Sequence, residues 1–445
     1  MPYVPVTADQ RGEMLRALGI SSVKELFEDL PKNLRYPRID LPEGSSESEV
    51  LRELHAMAEG NAVPDSYRWF LGAGAYDHFI PSVVPYVASR GEFVTAYTPY
   101  QPEVSQGTLQ VIFEYQSMIA ELTGMEAVNA SHYDGATALA EAVLMAVRGN
   151  PGHARILVPE ALHPEYRAVL DTYLAAFDVE LVTYTGKPAD AAAAQTAGAA
   201  GGMAALVACY PDFYGRIPDL SGAADAVHAK NALFIVHTDP VMLGLLKSPG
   251  SLGADIVTAE GQSLGNELAF GGPYLGVMAT TNTLVRRMPG RIVGEAHDGQ
   301  GRRGFALTLV AREQHIRREK AVSNICSNQG LSTLRACIHL AVMGKAGMKR
   351  AAELCWHRAH YAAEKIAAIK GFTVADGPFF KEFLVRTPIA AEKLAEKLYR
   401  QRIVPGLPLS RYDPKRTHEL LVCVTEMNSR ADIDGLAVAL REASV

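Results

Sequence analysis

Between about residues 65 and 300, short apolar and β-branched runs alternate with segments long enough to form helices, and this alternation restricts the possible folds most. The predicted strands are residues 127–130, 155–159, 179–184, 204–210, 233–237, 255–259 and 274–279. Helices are predicted between most of them, for example at residues 107–123, 136–148 and 164–177. Because successive parallel strands need crossover connections, the pattern predicts a largely parallel α/β sheet covered by helices on both faces. Ligands of such sheets bind at the carboxyl ends of the strands.

The flanking segments predict an N-terminal arm and a smaller second domain. The arm has a surface helix at residues 21–30, an extended proline-containing segment at 36–46 and a helix at 49–60. The small α+β domain has helices at 331–370, 390–401 and 433–442, and strands at 371–374, 380–387 and 420–425. Three domains are therefore predicted. Residues 1–64 form an arm that packs on another surface, residues 65–304 form the large domain, and residues 305–445 form the connecting helices and the small domain. The Ala- and Gly-rich residues 189–205 are predicted to be a surface helix and turn inside the large domain.

A large sheet domain followed by a long helix and a small domain is the outline of the aspartate-aminotransferase type of pyridoxal-phosphate enzyme, fold type I. This similarity in outline is an analogy between folds and does not by itself indicate a function. It directs attention to the polar residues that follow the strands of the large domain.

Composition excludes several classes of protein. With 48% hydrophobic residues in 445, the chain can bury a core and is not disordered. A formal charge of −6 argues against nucleic acid as the main partner. Five scattered cysteines form neither a disulfide framework nor a zinc motif, and we expect no metal. No apolar run is long enough to span a membrane and the first residues do not resemble a signal peptide, so we expect a cytoplasmic protein.

The first segment that could carry chemistry, residues 92–110, has no helix or strand period. Its centre holds Tyr97, Thr98, Tyr100 and Gln101 together with two prolines, just before a helix. Aromatic faces and hydroxyl groups on a proline-stiffened loop suit a ligand or partner surface. A rigid loop that buries its rings against its own domain is an equally good interpretation.

The second segment, residues 130–138, is a small polar turn between a strand and a helix. Asp134, Gly135 and Thr137 lie at the predicted helix start, where backbone amides bind anions and where a pyridoxal-phosphate enzyme holds its phosphate. An ordinary capped helix, with Asp134 or Ser131 near the cap, explains the same residues without a ligand.

The third segment, residues 233–279, holds two polar residues after predicted strands. Asp239 is placed to face a pyridinium nitrogen, although it could equally cap a turn. Gln262 lies near the place where a Schiff-base enzyme needs its lysine, and an amide nitrogen is not a nucleophile. The distribution of lysines agrees, since none of the 14 falls between Lys32 and Lys187 or between Lys247 and Lys320.

The fourth segment, residues 312–320, is the one basic run, with Arg312, His315, Arg317 and Arg318. It could meet acidic groups of a partner. The favoured interpretation from the residues alone is a solvated helix face with intrahelical ion pairs.

Four stretches together resemble the P-protein of the glycine cleavage system. They are residues 97–110 (YTPYQPEVSQGTLQ), 253–276 (GADIVTAEGQSLGNELAFGGPYLG), 288–294 (MPGRIVG) and 312–326 (REQHIRREKAVSNIC). The likeness covers essentially the whole chain. It is greatest to the N-terminal half of the P-protein, which in many bacteria is a separate alpha subunit, subunit 1.

The resemblance implies the type I pyridoxal-phosphate fold and an α2β2 assembly in which subunit 2 carries the cofactor-binding lysine. It implies that the complex decarboxylates glycine and passes the aminomethyl group to the lipoyl arm of H-protein. Gln262 agrees with a chain that is necessary for the reaction and cannot perform it alone. The resemblance also favours Tyr97, Thr98, Tyr100 and Gln101 as contributors to the partner's active site, and the four basic residues of 312–320 as interface residues. The alternatives are a non-catalytic scaffold subunit and a stand-alone decarboxylase or lyase that uses Lys247.

Overall fold

The computed structural model describes residues 6–94, 96–195 and 202–444. They form two compact units, one ending at Asn61 and the other beginning at Ala62. The helices are α1 (Ala8–Leu18), α2 (Glu47–Glu59), α3 (Val83–Ala88), α4 (Gln106–Thr123), α5 (Gly135–Gly149), α6 (Pro164–Leu174), α7 (Pro188–Ala193), α8 (Ala223–His228), α9 (Gln314–Arg317), α10 (Gly330–Ala367), α11 (Ala391–Tyr399) and α12 (Arg430–Ala443). The strands are β1 (Arg68–Trp69), β2 (Ala127–Val128), β3 (His153–Pro159), β4 (Glu180–Tyr184), β5 (Gly202–Tyr210), β6 (Leu233–Thr238), β7 (Ile256–Glu260), β8 (Gly276–Thr280), β9 (Ile292–His297), β10 (Arg303–Thr308), β11 (Thr373–Val374), β12 (Glu382–Arg386), β13 (Ile403–Val404), β14 (Leu407–Pro408) and β15 (Glu419–Cys423).

The N-terminal unit contains two helices that begin with capping boxes. Thr7 caps α1 and Ser46 caps α2, each paired with a Gln or Glu three residues later. The helix predicted at 49–60 and the irregular segment at 36–46 are confirmed. The helix predicted at 21–30 is wrong, because only a 3-10 turn forms at Val23–Phe27. Helix α1 was not predicted.

The large sheet has seven strands in the order β2-β8-β7-β6-β5-β3-β4. Strands β7, β6, β5, β3 and β4 run parallel to one another, and β8 runs antiparallel to both β7 and β2. All seven predicted strands are confirmed, with ends that differ by up to two residues. Strand β5 is buried along almost its whole length, as expected for a strand covered on both faces.

The sequence patterns did not predict one hairpin of the large-sheet part, and one predicted segment is described only in part. The antiparallel hairpin β9–β10 was missed. In the segment predicted as a surface helix and turn, α7 is present, and residues 196–201 lie outside the described residues.

The C-terminal part forms an antiparallel sheet in the order β11-β12-β15-β14. Helices α11 and α12 pack on it around a core that includes Phe383, Leu420 and Leu436. The predicted strands and helices of the small domain are confirmed, and the long helix α10 is interrupted at Gly344, where the backbone leaves the helical region (φ 55°, ψ −174°). The three-domain division remains a prediction.

Gly215 lets the loop after β5 lie directly on β12. Its φ is +81°, and a Cβ at this position would overlap the carbonyl oxygen of Glu382. This approach sets the position of Lys381 and Glu382 relative to the large sheet.

We expect Gly215→Ala to lower the free energy of unfolding by about 2–3 kcal/mol, because the new methyl group meets backbone and the left-handed φ disfavours a side chain. Urea unfolding followed by circular dichroism measures this. Gly222→Ala is the matched control, since Gly222 has a φ of +70° but open space around it. An equal loss in both variants would show that strain alone, and not the contact with β12, is responsible.

Candidate functional site

The polar residues predicted at the carboxyl ends of the strands lie at one edge of the large sheet. Asp239 follows β6, Gln262 follows β7, and Gly135 begins α5 beside them. A cavity of about 60 Å³ lies at this edge. Its polar lining includes Tyr76, His163, His237, Asp239, Glu260 and Glu382.

Asp134 and Thr137 cap helix α5. The Asp134 carboxylate accepts a hydrogen bond from the backbone amide of Thr137 (2.8 Å), and the Thr137 hydroxyl oxygen accepts one from the amide of Asp134 (3.1 Å). The capped-helix interpretation of these two residues is confirmed. The amide of Gly135 remains directed at the sheet edge.

The carboxyl group of Glu260 lies at this helix start. One of its oxygens accepts from the amide of Gly135 (2.8 Å), and the other accepts from the amides of Gln262 (2.9 Å) and Leu275 (3.0 Å). Burial raises the pKa of Glu260 to about 8, although the three amide donors oppose this change. The group therefore carries its proton over much of the neutral range.

Asp239 forms an ion pair with Lys381. The two side chains are almost completely buried, and the Lys381 Nζ lies 2.6 Å from the Asp239 Oδ2. Burial alone would raise the pKa of Asp239 and lower that of Lys381. The mutual attraction outweighs burial, so the pKa of Asp239 is lowered and that of Lys381 is raised. The ammonium also lies 3.5 Å from the ring centre of Tyr76.

The network continues from Lys381 to His78, Glu426 and Cys355. Lys381 Nζ lies 2.9 Å from His78 Nε2, and an ammonium can only donate, so Nε2 accepts and the His78 Nδ1–H donates to Glu426 at 2.7 Å. The Cys355 thiol donates to the same carboxylate at 3.1 Å. A nitrogen, a sulfur and an oxygen within 4.8 Å of one another are a donor set that zinc accepts. The adjacent ammonium opposes a divalent cation, and we retain the prediction that no metal binds.

Gln262 is held by hydrogen bonds to the loop that contains Tyr76. Its amide oxygen accepts from the Tyr76 amide (2.8 Å), and its amide nitrogen donates to the carbonyl oxygens of Tyr76 (3.0 Å) and Asn266 (2.8 Å). Its side chain therefore has a structural role in this chain. The residues that line the cavity do not include Lys247, which lies exposed in the turn before β7.

The loop around Tyr97–Gln101 and the basic run meet at Tyr100. Tyr97 is 89% exposed, and Tyr100 is half exposed. The Tyr100 hydroxyl accepts a hydrogen bond from Arg291 Nη2 (2.7 Å) and lies 3.4 Å from Glu313. His315 lies edge-on to its ring, with the ring centres 6.1 Å apart.

The basic run is not one solvated helix face, so that interpretation is wrong. It forms the four-residue helix α9 between two 3-10 turns. Arg312 is partly buried and donates to the carbonyl oxygens of Gly290 (3.0 Å) and Leu309 (3.1 Å). Arg317 donates to the carbonyl oxygen of Ala311, and Arg318 and His315 are exposed.

Several residues of these clusters were not predicted as site residues, and Glu260, Lys381 and Arg291 make the contacts on which the clusters depend most. Glu260 ends a buried strand, and Lys381 stands inside the apolar run of the small sheet, so each breaks a hydrophobic pattern and could have been noticed. Arg291 had no such signal, because an arginine after a proline–glycine turn is common on surfaces.

The seven-stranded sheet, the small C-terminal sheet and a polar cluster at the strand ends define a pyridoxal-phosphate enzyme fold of type I. A solved structure described as glycine decarboxylase (P-protein) of the glycine cleavage system, in inhibitor-bound form, is similar over 100% of both chains, with a TM-score of 0.89 and 43% identity. The cysteine desulfurase CsdA of Escherichia coli shares the fold, with a TM-score of 0.63 and 14% identity over 88% of this chain and 98% of its own.

The sequence comparisons identify the family. The family described as "Glycine cleavage system P-protein" matches residues 1–440. A protein of Thermomicrobium roseum named "Probable glycine dehydrogenase (decarboxylating) subunit 1" is 49% identical over 451 residues, which cover 100% of both chains. The chain belongs to the glycine cleavage system P-protein family, and the predicted fold class and resemblance are confirmed.

Among the residues that the structure describes, no helix combines the length and apolar composition required to cross a membrane.

Proposed function

We propose that the chain is the alpha subunit of a glycine decarboxylase and works in an α2β2 assembly with a separate subunit 2, in the cytoplasm. Its full-length likeness to relatives named subunit 1 supports this pairing. In the reaction, glycine loses its carboxylate as CO2 and its aminomethyl group passes to the lipoyl arm of H-protein. Pyridoxal phosphate, bound through a lysine of subunit 2, supplies the electron sink for this chemistry.

One observation carries the division of roles between the subunits. Gln262 is held by the Tyr76 backbone at the sheet edge, and Lys381, the lysine that contacts Asp239 there, is engaged in a buried ion pair. Among the residues that the structure describes, none that lines the cavity offers a free amine for covalent attachment of a cofactor. The exposed position of Lys247 also disfavours a stand-alone decarboxylase that uses this lysine.

The exposed apolar side chains of the N-terminal unit support a partner subunit. They include Leu26, Leu34, Leu41, Leu54 and Met57, each 53–74% exposed. Many large apolar side chains exposed within one short segment are typical of a surface that a partner covers. We propose that the arm packs on another subunit of the assembly.

The contribution of this chain to catalysis is assigned to the loop at Tyr97–Gln101. Tyr97, Thr98, Tyr100 and Gln101 are proposed to reach the active site of subunit 2. Arg291 anchors this surface, because its guanidinium is buried, bonds the Tyr100 hydroxyl and stacks on the Tyr100 ring at 5.2 Å. The neighbouring Arg312, His315, Arg317 and Arg318 are proposed to line the same subunit interface.

We expect Gln101→Ala and Tyr100→Phe to reduce glycine–bicarbonate exchange by the complex at least ~10-fold, the effect of losing one hydrogen bond to a reacting group. Assembly with subunit 2, measured by size-exclusion chromatography with light scattering, should be unchanged. Tyr399→Phe, a half-exposed tyrosine on α11, is the matched control. Full exchange activity in both loop variants would refute a role of the loop in the partner's site.

A comparison of subunit 2 alone with the complete complex tests the scaffold alternative. We expect exchange activity only when both chains are present, and none from this chain with pyridoxal phosphate. If subunit 2 alone were fully active after stabilisation by an osmolyte, this chain would be a scaffold.

A further inference from the structure

Pyridoxal phosphate, if this chain held it, would bind at this sheet edge. A type I pocket needs backbone amides for the phosphate group, a carboxylate for the ring nitrogen and space for the ring. This chain has the amides at Gly135 and the carboxylate of Asp239. Each of them is engaged by another group of the same chain.

The amide of Gly135, at the start of α5, is occupied by Glu260. Its carboxyl group takes the hydrogen bonds from Gly135, Gln262 and Leu275, so a phosphate oxygen at this position would have to displace it. The contact is also close, since a Cβ on Gly135 would lie 2.9 Å from the backbone nitrogen of Glu260 and 2.7 Å from the Tyr166 hydroxyl. The helix start and the strand end therefore lie in close contact at Gly135.

The carboxylate of Asp239 is occupied by Lys381. The ammonium at 2.6 Å supplies the positive charge that a pyridinium nitrogen would bring. It lies over the Tyr76 ring and on His78 Nε2, so it is fixed on three sides. A second cation at Asp239 would be repelled.

The cavity that Asp239 and Glu260 line is too small for the cofactor. The cavity of about 60 Å³ holds a few water molecules, whereas pockets for small organic ligands measure roughly 300–1,000 Å³. His163 stacks on Tyr166, with the ring centres 5.0 Å apart, and contacts Phe213 at 4.6 Å. Aromatic rings of the chain therefore fill the space beside the carboxylate.

We propose that Glu260 and Lys381 replace the phosphate group and the ring nitrogen of pyridoxal phosphate, so that this pocket is filled by the chain itself and binds no cofactor, covalently or otherwise. Lys381 directly precedes β12 of the small sheet and Asp239 follows β6 of the large sheet, so this ion pair joins the two sheets without a ligand. The poor fit between this pocket and pyridoxal phosphate is a property of this chain alone. It does not depend on how the chain pairs with subunit 2.

The test uses pyridoxine 5′-phosphate, which has the phosphate and ring nitrogen of the cofactor and no aldehyde, so that lysines elsewhere cannot form imines with it. Equilibrium dialysis of the full chain should show no specific binding. The double variant Glu260→Ala/Lys381→Ala, which removes the volume of both side chains, should bind about one equivalent, at least ~10-fold more tightly than the unsubstituted chain. Glu364→Ala/Lys370→Ala, at exposed positions of and after α10, is the matched control and should behave as the unsubstituted chain.

If the double variant does not fold, Glu260→Ala alone is tested with inorganic phosphate as the probe. Its melting temperature should rise in phosphate relative to a chloride solution of equal ionic strength, and that of the unsubstituted chain should not. One equivalent bound by the unsubstituted chain and displaced by inorganic phosphate would overturn the proposal. So would a folded double variant that binds none, or a Glu260→Ala variant whose melting temperature does not respond to phosphate.

Discussion

Replacing Lys381 by methionine should lower the free energy of unfolding by about 3–5 kcal/mol, the cost of removing one partner of a buried ion pair. The methionine fills most of the volume of the lysine chain, so a cavity contributes little. The main effect comes from Asp239, which keeps only the backbone amides of Val241 (2.9 Å) and Met242 (3.4 Å) as donors. Urea unfolding at pH 7 measures the change.

The source of the effect can be separated with a second substitution. In Lys381→Met/Asp239→Asn no buried charge is left unpaired, and we expect the double variant to recover most of the lost stability. Lys370→Met, at an exposed position, should change stability by less than ~0.5 kcal/mol. If the double variant were as unstable as the sum of the two single variants, the ion pair would not be the cause.

The large sheet was predictable because its strands carry a strong local signal. Strands β5, β6 and β7 are buried on both faces, so they appear in the sequence as short continuous apolar runs between helices. The hairpin β9–β10 was missed because both strands are partly exposed, with polar residues such as Glu295 and Arg303 facing solvent. The segment around Val23–Phe27 has the apolar spacing of a helix. A segment of about ten residues is too short to form a stable helix without tertiary packing, so only a 3-10 turn is present.

The site was predictable only in part. Asp239 and Gln262 each follow a predicted strand, and the carboxyl ends of adjacent parallel strands lie together. The sequence therefore predicts both residues at one sheet edge. Nothing local indicates that Lys381, 142 residues after Asp239, is its partner, since this contact depends on how the small sheet packs. The contact of Tyr100 with Arg291 and Glu313 likewise joins residues about 190 or more positions apart.

Glu260 should make the stability of this chain depend on pH. Its pKa is raised by burial from an ordinary value of 4.5 to about 8, so between these values the folded state holds a proton that the unfolded state releases. Stability from this group is complete below about pH 4.5 and is lost as the pH rises to about 8. At 1.36 kcal/mol per unit the loss is on the order of 5 kcal/mol.

The substitution Glu260→Gln isolates this contribution, because glutamine has nearly the same shape and no proton to lose. Its one amide oxygen can keep the hydrogen bonds from Gln262 and Leu275, and the loss of the hydrogen bond from Gly135 lowers stability by an amount that does not depend on pH. Relative to the unsubstituted chain, the variant should gain stability steadily from pH 5 to pH 8, by several kcal/mol at the upper end. Other buried carboxyls, such as Glu382, whose pKa burial raises to about 7, titrate equally in both chains and cancel in the difference. Glu364→Gln, at an exposed position of α10, is the control and should show no trend. A constant difference between Glu260→Gln and the unsubstituted chain across this range would mean that Glu260 is ionised in the folded state, held by the amides of Gly135, Gln262 and Leu275 as a true anion.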